Sequence, residues 1–284
     1  MSIPVDNYVN KPHPGVWRAG LLQIVLVAIF SALLALLASV LPVGLDRTTR
    51  GGVGLVLAFA PALIWIYFFY RQDRLEPEPK VSVAQVFLLA MVLTQAVGIP
   101  LLRDLLAVGE WAVANDAVSL PVSILAFGVV YQTIAYVAVR AVVYNTHEFD
   151  ERMDGIVYGT VAGLGVATLI NLRFVTDNDG VELLPAVVRT ATTTLAMASF
   201  SGLMGHMMAE AKFGRRPFWW CAVGVALAAL LNGLFSWLIS EASVTGLTVD
   251  PWRSLGLGIV VALATFVVVM WLISRVVPVS LRRS

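Results

Sequence analysis

Side chains able to do chemistry are scarce in this sequence, and histidine stands close to carboxylates in two short stretches. The first is NTHEFDERM, with His147, Glu148, Asp150 and Glu151. The second is GHMMAEAKF, where His206 and Glu210 stand one helical turn apart. Imidazole and carboxylate together can ligate a hydrolytic metal or take a proton from water. The spacing is neither HExxH nor a zinc-finger pattern, and the plain alternative is a solvated polar loop beside a helix end. A run of hydroxyls, Thr190, Thr192, Thr193, Thr194, Ser199 and Ser201, offers nucleophiles, but no GxSxG motif accompanies it and no buried histidine or lysine is there to activate one. Hydroxyls of this kind bond to their own backbone or to a neighbouring helix. Arg173 and Arg189 are charges near or inside apolar runs; they snorkel to an interface, or one of them meets a carboxylate or a lipid phosphate.

The elements that must position these groups are membrane helices. Hydrophobic residues make up 59% of the chain and charged residues 13%, against about 25% charged in soluble domains. Apolar runs of about 20 residues recur from end to end, each long enough to cross a hydrocarbon core. The expected fold is all-α, a polytopic bundle of about eight transmembrane helices forming one integral membrane domain over residues 1–284. A polar segment, 1–18, is expected to be irregular; the bundle follows over 19–277 and a short basic tail over 278–284. Expected spans are 19–43, 52–70, 81–102, 119–144, 154–175, 184–211, 217–240 and 255–277. Pro100 is placed to kink the third, and residues 103–117 have the amphipathic pattern of an interfacial segment. The aromatic run WIYFFY at the end of the second span fits an interfacial belt.

Composition also excludes some classes. Cys221 is the single cysteine and lies in an apolar run, so there is no disulfide framework and no CxxC motif. A net charge of +1 with no basic cluster gives no reason to expect nucleic acid. The first apolar run is too long for a signal-peptide core and reads as a retained span. No inverted repeat suggests a transporter. With the N-terminus inside, thirteen of the nineteen lysines and arginines fall on the inner side. A multi-pass cell-membrane protein with both termini cytoplasmic is therefore expected.

The stretch DGIVYGTVAGLGVATLIN, Asp154 to Asn171, organises the rest. Gly155, Gly159 and Gly163 recur every fourth residue and make one smooth helix face, where neighbouring helices can approach to backbone contact. Asp154 is placed to cap this helix and meet its dipole, and Asn171 can bond across helices. DGIVYG followed by GLGVATLIN resembles the PrsW-type intramembrane proteases, whose pattern is roughly DGxxYGxxxGxGFAxxEN. RQDRLEPEPK resembles the same family's EPEP loop through Arg71, Asp73, Arg74, Glu76, Pro77, Glu78 and Pro79. Tyr158, Gly165 and Arg189 also match, and the likeness runs more weakly onward to Asn232.

That resemblance implies a membrane-embedded site of glutamates and histidines. Carried over position by position, a glutamate pair falls at Tyr131 and Gln132, and a third glutamate at Ile170. One histidine falls at Met197, where AMASFSG parallels AHALFSG, and another at Asn232, where LLNGLFS parallels LHGLWN. Ile170 and Met197 cannot act as general bases, Gln132 and Asn232 can orient a water but cannot take its proton at neutral pH, and a thioether is a poor ligand for a hard hydrolytic metal. The expectation is a family scaffold without the family's chemistry: no catalytic residues, no metal, and His147, His206 and Glu210 as weak metal candidates. Such a pseudoprotease would bind a membrane partner through its bundle: lipid, another protein's transmembrane helix, or a second copy. The alternative is an active intramembrane protease, in which case zinc would be its cofactor.

Overall fold

In a computed structural model of the protein, the described residues are 14–40, 47–72, 78–108, 120–177, 183–214, 216–244 and 251–280. They fold as eight long helices, with no strand among the described residues. These are α1 (Pro14–Val40), α2 (Arg47–Gln72), α3 (Lys80–Leu105), α4 (Leu120–Val142), α5 (Arg152–Asp177), α6 (Leu183–Phe213), α7 (Trp220–Val244) and α8 (Pro251–Ser280). Six of them, α2 to α5, α7 and α8, are long and apolar enough to cross a membrane, and α1 carries a shorter apolar stretch, Trp17–Leu33.

α5 is the central helix. In its apolar window 89% of the residues are buried inside the protein, against 33% in α3 and 39% in α8. Glycine explains why so much can pack around it. A methyl group added at Gly155, Gly159 or Gly163 would be driven into the carbonyl oxygens of Gly205, Ser201 or Met197, all on α6. On another face, Gly165 lies as closely against the Phe87 carbonyl of α3. The pairs 155 with 205, 163 with 197 and 171 with 190 run α6 antiparallel to α5 along its whole length. α6 therefore spans wherever α5 does, although its threonines and Arg189 keep it out of the apolar set. Its polar side chains are turned inward: Thr190, Thr194, Ser199 and Ser201 are fully buried.

Three departures from sequence expectation have local causes. The first helix begins at Pro14, inside the segment expected to be irregular, because proline is well tolerated in a first helical turn. The WIYFFY run is not an interfacial belt. Trp65, Phe68 and Phe69 share one helix face and are buried against Phe266 of α8, with Trp65–Phe266 ring centroids 5.1 Å apart. Only Tyr67, on the opposite face, is largely exposed. Around Pro100, α3 widens into two π-type turns, Thr94–Gly98 and Leu101–Leu105, which absorb the amide hydrogen that proline lacks. Most of the expected interfacial segment, from residue 109 onward, lies outside the described residues.

Candidate functional site

Two polar regions are buried in this bundle. The first lies mid-bundle, where α4, α6 and α7 meet. α4 begins with a wide turn, Ser123–Gly128, whose Gly128 packs against the backbone of Ala229 and Gly233 on α7. One turn further along, Gln132 is fully buried and its Oε1 accepts the hydroxyl hydrogen of Ser201 at 2.9 Å. Its amide nitrogen has no protein partner. Asn232 on α7 is likewise buried with its amide nitrogen unpartnered, and its Oδ1 receives only a long 3.4 Å bond from Ser236. Phe235 stacks edge-on to Phe200, and Gly224 packs on Met204 and Met207, which puts Asn232 near the level of Met197–Ser201. Met197 is buried behind Gly163. Gln132, Met197 and Asn232 are thus gathered in one part of the bundle.

Tyr131 and Ile170 lie apart from them. Tyr131 points a different way around α4, lining a cavity of about 390 Å³ with Ile99, Leu102, Arg103, Val108 and Phe127. Ile170 is half-buried near the far end of α5. Its neighbour Asn171 bonds across to α6, donating to the Thr190 carbonyl at 3.1 Å and the Thr194 hydroxyl at 3.0 Å. Of the intramembrane arginines, Arg189 lays its guanidinium over the Phe174 ring at 3.8 Å, and Arg173 donates to Gln95 Oε1 at 3.1 Å.

The second region gathers the motif residues at the opposite end of α5. Asp154 does not stand at the N-cap; the helix starts at Arg152, and Asp154 reaches back from its first turn. Its Oδ2 accepts the backbone N–H of Asp150 at 2.7 Å and of Glu151 at 2.6 Å, the reciprocal half of a capping box. Tyr158, one turn on and fully buried, donates its hydroxyl to Glu78 Oε2 at 2.5 Å. Pro79 then precedes the first turn of α3. Lys212, from the end of α6, donates to the carbonyls of Tyr144 and Phe149 at 2.6 Å each and so ties the α4–α5 connection in place. Burial, with the Cys221 thiol beside it, pushes the Tyr144 phenol up to about 12, so it stays neutral. Asp73, Arg74, Glu76 and Pro77 lie outside the described residues, as does the side chain of Arg71.

The weak metal candidates are not brought together. His147 is exposed and pairs with its neighbour Glu148 at 2.8 Å. Glu210 pairs with Arg152 at 3.1 Å, and His206 Nδ1 is buried without a partner. Among the described residues, no three His, Cys, Asp or Glu side chains gather where they could hold a metal. Sequence reasoning missed Ser201 as the partner of Gln132 and Lys212 as a tie; the inward polar face of α6 was the available signal.

Comparison with known proteins agrees with the motif geometry. No solved structure matches the chain. A protease named PrsW from Geobacillus kaustophilus is 33% identical over 183 residues, covering 63% of this chain and 76% of that protein. A PrsW protease from Bacillus subtilis is 28% identical over 186 residues, 65% of this chain and 81% of its own length. Residues 78–273 match the model for the PrsW family intramembrane metalloproteases, a stretch that opens at the buried Glu78 and holds both polar regions, and the chain belongs to that family.

Proposed function

We propose that this chain is a non-catalytic PrsW-family member, a pseudoprotease that binds a membrane partner through its bundle. One observation carries the reading. The positions to which the family's glutamates and histidines carry over hold Tyr131, Gln132, Ile170, Met197 and Asn232, and the three that gather mid-bundle offer two neutral amides and a thioether. The unpartnered atoms there are amide N–H donors, and the oxygens on offer are neutral amide ones: Gln132 Oε1 already accepts from Ser201, and Asn232 Oδ1 accepts a long bond from Ser236. These side chains do not fit a hydrolytic metal.

An apolar cavity of about 400 Å³ between α1, α2, α6 and α8 supports the binding half of the proposal. Its walls include Ile24, Val27, Trp65, Leu195 and Ala262. That volume lies within the roughly 300–1,000 Å³ of small-molecule sites, and α1 and α2 lie outside the stretch matched to the family. Lipid, a transmembrane helix or a second copy are the candidate occupants. With thirteen of nineteen basic residues on one side, both termini are proposed to be cytoplasmic. Reporter fusions at each terminus and at residues 176–183 test this; an external C-terminus would contradict it.

The second reading, an active protease carrying zinc, is favoured by the name of the relatives, each of which is called a protease. Metal analysis separates the two. The purified chain should contain no stoichiometric zinc after equilibration with the metal and gel filtration. About one zinc per chain, retained through that step, would overturn the proposal.

A further inference from the structure

At the end of the bundle where α4 stops, α7 starts and α8 stops, three exposed arginines are laid over aromatic rings. Arg140 lies over Tyr144 at 4.1 Å, Arg216 over Trp220 at 5.0 Å and Arg275 over Trp271 at 4.4 Å. Contacts between the helices put the three pairs at one end. The Tyr144 hydroxyl is 3.9 Å from Cys221 Sγ, which joins the end of α4 to the start of α7. Gly258 packs on Phe235 and Ile239 of α7. Further along α8, Val269 packs on Gly202, and Met204, two residues on from Gly202, packs on Gly224. α8 thus runs antiparallel to α7 and brings Arg275 to the Trp220 end. The apolar windows long enough to cross a membrane stop at Val142 and Val276 and start at Trp220, so each guanidinium falls within four residues of a span end. That is headgroup depth.

The turn leading into α7 adds an uncovered apolar surface. Backbone bonds from Trp220 N–H to the Pro217 carbonyl at 2.9 Å and from Val223 N–H to the Trp219 carbonyl at 3.2 Å fix its shape. Phe218 and Trp219 project from it, 87% and 52% exposed. Charge on this stretch has one sign, since the chain has no Asp or Glu from Ala211 to Ser240. The other charged groups at this end are engaged elsewhere: Lys212 on the Tyr144 and Phe149 carbonyls, Glu148 on His147, and Glu210 on Arg152. Asp150 is exposed on the α4–α5 connection but pairs with none of the three arginines. Among the described residues, Arg140, Arg216 and Arg275 make no ion pair.

We propose that this end of the bundle is a binding surface for anionic phospholipid, with the three guanidiniums on headgroup phosphates and Phe218 and Trp219 set into the interface. A guanidinium over a ring is oriented in advance by the cation–π contact, and its N–H edge matches two phosphate oxygens. A zwitterionic headgroup offers the same phosphate beside a cation that the arginines repel. Lipid with a net negative charge is therefore preferred. The surface is separate from the apolar cavity, and its role holds whether or not the chain cleaves peptides. A protein partner is the competing occupant, and it would leave Trp219 in water when this chain stands alone in a bilayer.

Thermal unfolding of the full chain in detergent tests the headgroup preference. Saturating phosphatidylglycerol should raise the midpoint by about 3 °C, and phosphatidylcholine by less than about a third of that. The triple variant Arg140→Gln, Arg216→Gln, Arg275→Gln should lose roughly half or more of the phosphatidylglycerol shift. Equal shifts from the two lipids, an undiminished shift in the variant, or the same shift from inorganic phosphate would each overturn the proposal. Should the variant not fold, the two-lipid comparison on the wild type decides. Insertion is read separately in nanodiscs of brominated phosphatidylglycerol. The emission that Trp219→Phe removes should be quenched there in the wild type by roughly half or more, because bromine quenches indoles at its own depth in the interface. Unquenched Trp219 emission would place the patch in water, assign it to a protein partner and refute the lipid surface.

Discussion

The two buried polar regions of this bundle are built on opposite terms. At the Asp154 end the groups are charged or acidic, and apart from His206 Nδ1 they have partners: Asp154 on two backbone N–H groups, Tyr158 on Glu78, Lys212 on two carbonyls. Mid-bundle the groups are neutral and half-satisfied, with the amide nitrogens of Gln132 and Asn232 left over. An unmet buried amide costs about 1–3 kcal/mol, whereas an unmet buried charge costs far more. Neutral amides can therefore persist where a glutamate or histidine would need a metal or water to hold it. The partnered polar groups at the motif end stabilise the fold, and the unpartnered amides mid-bundle weaken it.

Substitutions test that contrast, and the largest effect belongs to the helix contact both regions depend on. Gly159→Leu should abolish folding, since its side chain has only the α6 backbone to enter; Gly256→Ala, with nothing within 4 Å, should change stability by less than about 0.5 kcal/mol. Thermal unfolding in detergent measures both, and equal tolerance would remove the glycine stripe from the core. Asp154→Ala comes next. It leaves two backbone N–H groups without their acceptor, which should lower stability by about 3 kcal/mol. The smallest effect has the opposite sign. Asn232→Leu removes an unpartnered amide at nearly constant volume and should raise stability by about 1–2 kcal/mol. A loss of similar size from Asn232→Leu would mean that the amide has a partner in the membrane, and the contrast between the regions would fall.

Much of this was legible in the chain. Helix number followed from apolar run length, because the bilayer leaves little choice of element. The role of Gly155, Gly159 and Gly163 followed from their spacing, and the cross-helix bond of Asn171 from its polarity at depth. Which way a side chain turned was harder to read. Trp65, Phe68 and Phe69 look like an interfacial belt in sequence, yet they share the face that meets α8. Glu78 could be read as a loop residue, because nothing local says that Tyr158, eighty positions away, will bury it. Ser201 was one hydroxyl among six until α4 brought Gln132 to it. Local periodicity reports which faces are apolar; partners between helices depend on how the helices assemble.

The central claim is that the chain keeps the family's scaffold without its hydrolytic chemistry, and cleavage tests it most directly. The purified protein and the Geobacillus kaustophilus relative should be assayed side by side in the same bilayer, with added zinc, on the same labelled transmembrane peptide. The account predicts no cleavage by this chain under any condition in which the relative cleaves. Zinc-dependent cleavage by this chain that disappears in His206→Ala or Glu210→Gln would contradict it, and would place an active site at the Arg152 end of α6.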